Sequence, residues 1–115
     1  MRELLTLRVG SRDDIPAWIL IERDSIFVQI GKDSNVLCLA QTCTLASTLI
    51  DHPSPVSLHV KILAQRLCKM CCNKQVFVST DLVDDEQGLF WECLTTQVKD
   101  RLLSLMQGNK ETAST

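Results

Sequence analysis

The sequence predicts an α+β domain: an antiparallel β-sheet of about six strands, meander first, with two α-helices, in the order β-β-β-β(-β)-α-β(-β)-α. Three observations predict it. The runs "WILIE" (18–22), "IFVQI" (26–30) and "VLCLAQT" (36–42) are short and rich in β-branched and aromatic residues, with only a few polar residues between them. Links that brief join antiparallel neighbours. Apolar residues then recur at helical spacing, first at Val56, Val60, Leu63, Leu67 and Met70, later at Leu94, Val98, Leu102 and Leu105, each set tracing one helix face. Between the two sets, "KQVFVSTDL" (74–82) reads as a further strand.

The elements follow in order. In "LLTLRV" (4–9), Leu5, Leu7 and Val9 alternate with Thr6 and Arg8, the period of a half-buried strand. "GSRDDIP" (10–16) has the composition of a turn, and so do "RDS" (23–25) and "GKDSN" (31–35). Residues 44–50 leave two readings open, since Thr and Ile favour a strand and "LAST" fits a helical turn. "DHPSP" (51–55) ends the meander. Ser54 suits an N-cap and Pro55 the first helical position. Lys69 falls in the last turn, where a cation complements the helix dipole, and Asn73 suits a left-handed cap. In the next strand Val76, Val78 and Thr80 face one way, Phe77 and Ser79 the other. "VDDEQG" (83–88) is a polar turn, and "GLFWECL" (88–94) is open between a strand and the start of the second helix. The single domain spans 1–107, and "GNKETAST" (108–115), small and polar without apolar periodicity, is expected as a flexible tail.

Composition removes several classes of function. The chain has 115 residues, a net charge of -2 and a pI near 5.6. A chain this size buries roughly two-thirds of its unfolded surface and sustains its own core. The acidic balance offers no basic face for nucleic acid or an anionic membrane. With three Phe, two Trp and no Tyr, a base-stacking platform is not expected. No apolar run approaches the roughly 18 residues of a membrane span. "MRELLTLRVG" has neither a long apolar block nor a small-residue cleavage site, so no signal peptide is expected. A cytoplasmic or nuclear location, with reduced thiols, follows as the expectation.

Six cysteines invite a metal or redox reading. Cys68 and Cys71 form a C-x-x-C pair with Cys72 beside it, but a structural zinc site needs about four ligands, usually from two such pairs. Cys38, Cys43, Cys93, His52 and His59 supply no second pair and no H-x-x-x-H. Redox C-x-x-C motifs sit at a helix N-terminus, where the dipole favours a thiolate; this one falls at a predicted C-terminus. The thiols are therefore read as packing groups, with a zinc or redox protein as the lesser alternative. Neither histidine lies in a triad-like pattern. Asp81, Asp84, Asp85 and Glu86 read as a solvated turn with helix-start charges. Four scattered glycines form no phosphate loop. No catalytic, cofactor-binding or metal-binding residues are assigned, and no cofactor is expected.

The informative feature is that "AWILI", "IFVQI", "VLCLA" and "QVFV" are apolar on both faces, as strands covered on both sides are. Two helices cover one face, or part of each. At about 25 cal/mol per Å2, leaving several hundred Å2 wet costs several kcal/mol, and such patches mark interaction sites. Phe27, Gln29, Phe77 and Ser79 alternate against the residues expected to meet the helices and are the candidate partner interface.

"LAQRL" (63–67) followed by "NKQVFVS" (73–79) resembles the signature region of the proteasome assembly chaperone 4 family. "RDSIFVQIG" (23–31) resembles that family's hairpin ending in Gly, and "VLCLAQTC" (36–43) the strand after it. The likeness covers roughly residues 15–106. The first strand, the "LASTLIDHPSP" connection and "GLFWECL" depart from the pattern. The resemblance implies a non-enzymatic chaperone of cytoplasm or nucleus that pairs with a related small chaperone as a heterodimer. That pair binds proteasome α-subunits and promotes assembly of the α-ring of the 20S core particle. A homodimer of the isolated chain stays open, as does another small α+β interaction or scaffold protein.

Overall fold

The computed structural model describes residues 2–9, 12–33, 35–42, 45–50, 56–71, 74–82 and 88–114. Its elements are β1 (Arg2–Val9), β2 (Arg12–Ile21), β3 (Ser25–Ile30), β4 (Val36–Thr42), β5 (Leu45–Ile50), α1 (Val56–Met70), β6 (Gln75–Thr80) and α2 (Gly88–Ser114). The α+β class, the six strands and the two helices match the sequence reading. Within the ambiguous stretches, β5 is a strand and "GLFWECL" opens α2. The helical arc there puts Phe90, Trp91 and Leu94 inside and leaves Glu92 and Cys93 outside. The Ser54–Pro55 start, the Asn73 cap and the Asp84–Glu86 turn fall outside the described residues. The backbone of 108–114, expected as a tail, continues α2.

The sheet corrects the meander. Its strand order is β1-β2-β3-β6-β4-β5, with every pair antiparallel except β3 and β6, which are parallel. The sheet is mixed, and β6 splits what reads as a β3–β4 hairpin. The physical reason lies in the link and in the strands. Crossing one inserted strand needs about 10 Å, and five residues reach at most about 17 Å, so "GKDSN" can arch over β6. Both β3 and β6 are apolar on two faces and suit the sheet centre better than its edge.

A side-chain latch holds that arch. Gly31 adopts φ +89°, a left-handed conformation that glycine takes without a Cβ penalty. The Asp81 carboxylate, just past β6, accepts hydrogen bonds from the Lys32 and Asp33 amides at 3.1 and 3.2 Å. Asn35 N–H donates to the Thr80 carbonyl at 2.9 Å, and the Gln29 side-chain amide donates to the Asp33 carbonyl at 2.8 Å.

β2 also differs from expectation, since it includes 12–16, read from composition as a turn. Pro16 is tolerated because of where its backbone points. It faces Thr6 of β1 in register, yet its carbonyl accepts from Gly31 N–H at 2.7 Å, on the β3 side. In a strand the N–H and C=O of one residue point the same way. The missing donor of Pro16 therefore faces the end of β3 and costs the β1–β2 ladder nothing.

Both helices pack on one face. Ile15, Ala17 and Ile19 of β2, Ile26, Val28 and Ile30 of β3, Val76 and Val78 of β6, and Val36, Cys38 and Ala40 of β4 are buried beneath them. α1 covers β4, β5 and β6 with Val60, Leu63, Ala64 and Leu67, while α2 rests on β1 and against α1 with Leu94, Val98 and Leu102. The Gln97 side chain ties α2 to the sheet edge: its amide donates to the Arg8 carbonyl and its oxygen accepts from Arg8 N–H. Arg101 pairs with Glu3 one helical turn further on.

Candidate functional site

The sheet face away from the helices carries two transverse rows of side chains set by the strand register. One runs Leu4, Trp18, Gln29, Ser79, Leu37; the other runs Leu20, Phe27, Phe77, Leu39, Ser47. Trp18 and Phe27 stack at 5.3 Å between ring centroids, and Phe27 and Phe77 at 5.8 Å. Trp18, Leu20, Phe27, Leu37, Leu39 and Phe77 are half-buried, and Leu4 is 70% exposed. Strand-directed stacking of this kind shields each ring by its neighbours but leaves the outward faces to solvent. The two rows hold no carboxylate, imidazole or thiol. They can bury apolar area against another surface, and they contain no group able to exchange a proton near neutral pH.

Phe27, Gln29, Phe77 and Ser79 all lie on this face, adjacent across the parallel β3–β6 pair. Gln29 and Ser79 are themselves buried, at 6% and 0% exposure, flanked by Trp18 and Leu37. They form a polar seam, and the aromatic and leucine side chains around them present the area. Trp18, Leu20, Leu37, Leu39 and Leu4 were not singled out from sequence. Period-two alternation in β2 and β4 was the available signal, but placing those strands beside β3 and β6 required the true strand order.

The cysteines pack. Cys38, Cys68 and Cys71 are buried. The Cys68 thiol points to the Lys74 carbonyl at 3.2 Å, and Cys71 to the Met106 sulfur at 3.8 Å. Cys93 is exposed on α2. Cys72, Cys43 and His52 lie outside the described residues. Among the described residues no three His, Cys, Asp or Glu side chains are grouped to hold a metal. His59 stacks on Trp91 at 5.9 Å between α1 and α2. Among the described residues no helix is long and apolar enough to cross a membrane.

The fold and site together define a one-sided α+β layer: helices seal one face of a mixed sheet, and the other face is apolar and open. No family model matches the sequence, and no curated protein matches it. Among solved structures, the chain is similar to one from a crystal structure of a chaperone complex for yeast 20S proteasome assembly. The TM-score is 0.57 at 10% identity, and the match covers 93% of this chain and 96% of that one. At that identity the likeness shows a shared fold.

Proposed function

We propose that this chain is a non-catalytic proteasome assembly chaperone of the chaperone 4 type. It pairs with a related small chaperone, and the pair binds proteasome α-subunits and promotes assembly of the 20S α-ring. The observation that carries this reading is the open apolar face centred on Trp18, Phe27 and Phe77. Sheets stack at about 10 Å by interdigitating the side chains of their facing sides, and a related one-sided sheet is the surface most like a missing second layer. The rows span roughly 24 Å across six strands at ~4.8 Å spacing and lie about 7 Å apart along them; with about 3 Å of side chain beyond each edge the footprint is roughly 30 by 13 Å, about 400 Å2. Covering that area is worth about 10 kcal/mol gross at 25 cal/mol per Å2, against an association cost of ~4–15 kcal/mol. The two magnitudes are comparable, so the pairing is expected to be reversible.

The fold shared over nearly the whole length with a chain of a proteasome assembly chaperone complex supports the reading, as does the sequence resemblance in 63–82. A chaperone of this kind needs only differential affinity for one arrangement of subunits and consumes no nucleotide. The chain is expected to act in cytoplasm or nucleus. Affinity purification from its own cells, with partners identified by mass spectrometry, tests it. Proteasome α-subunits together with one small α+β partner are expected. Recovery of a different partner set by well-folded chain overturns the reading in favour of another adaptor.

A further inference from the structure

α1 and α2 run side by side in the same direction, and the furrow between their outer sides is open. Its walls are stripes at helical spacing. At one end His59 of α1 stacks on Trp91 of α2 and closes the furrow. Towards the C-terminal end it widens to a cavity of about 740 Å3 lined by Arg66, Lys69 and Met70 of α1 and Lys99, Asp100 and Leu103 of α2. Leu103 is 45% exposed there, and Ile62 borders the middle of the same furrow.

The charge in this cavity is opposite to that of the chain. Three cations and one carboxylate line it, with Glu92 a second carboxylate at the His59 end of the furrow, on a protein whose net charge is -2. Among the described residues Arg66, Lys69 and Lys99 take part in no ion pair, although Asp100 lines the same space. Like charges sharing one cavity repel one another, and of its lining residues Asp100 alone carries the opposite charge. The apolar lining matters equally. A bare phosphate would satisfy the cations but leave Met70 and Leu103 wet, whereas a peptide with an apolar side chain between carboxylates meets both.

We propose that the α1–α2 furrow is a docking groove for a short acidic amphipathic helix of a partner protein. The helix would set Leu-type side chains against Met70 and Leu103 and Asp or Glu against Arg66, Lys69 and Lys99. The furrow runs alongside α1 from residue 59 to residue 70, roughly 17 Å at 1.5 Å per residue, room for about three helical turns. It lies on the helical layer, across the sheet from the open face. The two surfaces can therefore be occupied together, one by a stacked sheet and one by an acidic helix. The groove does not depend on the identity proposed for the sheet's partner.

Fluorescence anisotropy tests this on the full chain. The probe is a fluorescein-labelled helical peptide with Leu at i, i+4 spacing flanked by Glu, beside a Glu-to-Gln analogue and a Leu-to-Ala analogue. Binding of the Glu/Leu probe, weakened by salt, is expected. The Gln analogue, and the Arg66→Glu/Lys69→Glu/Lys99→Glu variant, should each lose about tenfold or more, the worth of a few partly exposed pairs. Asp100→Lys should tighten binding, and Phe77→Thr on the open sheet face should leave it unchanged. Equal binding of the Gln analogue, equal binding of the Leu-to-Ala analogue, or loss of binding in Phe77→Thr overturns the proposal. Should the triple variant fail circular dichroism as a folded protein, Leu103→Asp carries the same test.

Discussion

Replacing Gly31 by Ala attacks the arch over β6 at its tightest point. A Cβ at this position would sit 1.8 Å from Asp81 Oδ1, and the backbone is at φ +89°. Two costs follow. Holding an L-residue in the left-handed region costs about 1 kcal/mol. The carboxylate must also swing away, releasing the Lys32 and Asp33 amides it accepts from at 3.1 and 3.2 Å. At an exposed site those two bonds are worth about 1 kcal/mol each. The sum is about 3 kcal/mol, a large share of the ~5–15 kcal/mol that holds a domain of this size. At about 4 °C per kcal/mol, Tm should fall by about 12 °C. A double-mutant cycle separates the parts. Asp81→Ala alone should cost about 2 kcal/mol, and Gly31→Ala in that background only about 1 kcal/mol more, because the clash is gone. Urea unfolding of the four proteins measures this. A Gly31→Ala cost under about 0.5 kcal/mol, or costs that simply add, would refute the latch.

Other consequences are as direct. Leu67→Ala empties a fully buried site under α1 and should cost about 3 kcal/mol by urea unfolding, as large-to-small core changes do. Gln97→Ala removes both side-chain bonds to the Arg8 backbone; about 1 kcal/mol should be lost, and hydrogen exchange should speed at the Arg8 amide while that of β3 and β6 holds. Elemental analysis should find no stoichiometric zinc, and Cys68→Ser with Cys71→Ser should alter stability without altering metal content. About one zinc per chain, lost in that variant, would restore the metal reading of the C-x-x-C pair.

What the sequence made legible was periodicity. Val60, Leu63 and Leu67 name the buried face of α1 by spacing alone, and Phe77 and Ser79 separate from Val76 and Val78 by alternation. Strand order was not legible. A five-residue link between apolar strands fits a hairpin and an arch over an inserted strand equally well by length. What decides between them is the pairing of β3 with β6, whose partners lie fifty residues apart in the chain. Pro16 misled for a related reason: its cost depends on which neighbour its missing N–H would face, a property of the sheet and not of the residue. The candidate site was half visible. Phe27 and Phe77 could be assigned to one face, but Trp18, Leu37 and Leu39 join them only through the register of β2 and β4. The furrow between the helices left no sequence signal, because Arg66, Lys69 and Lys99 converge only when α1 and α2 lie parallel.

The most direct test of the account is to remove the aromatic centre of the open face and measure binding to the co-purified partner. Phe27→Thr with Phe77→Thr keeps strand-forming residues while deleting both rings, and circular dichroism checks the fold. Each of these partly buried rings offers at most roughly 70 Å2, so about 3 kcal/mol, near a hundredfold in Kd, should be lost. Retention of the small partner and of proteasome α-subunits at undiminished affinity by the folded variant would contradict the claim that this face is where another protein completes the sheet.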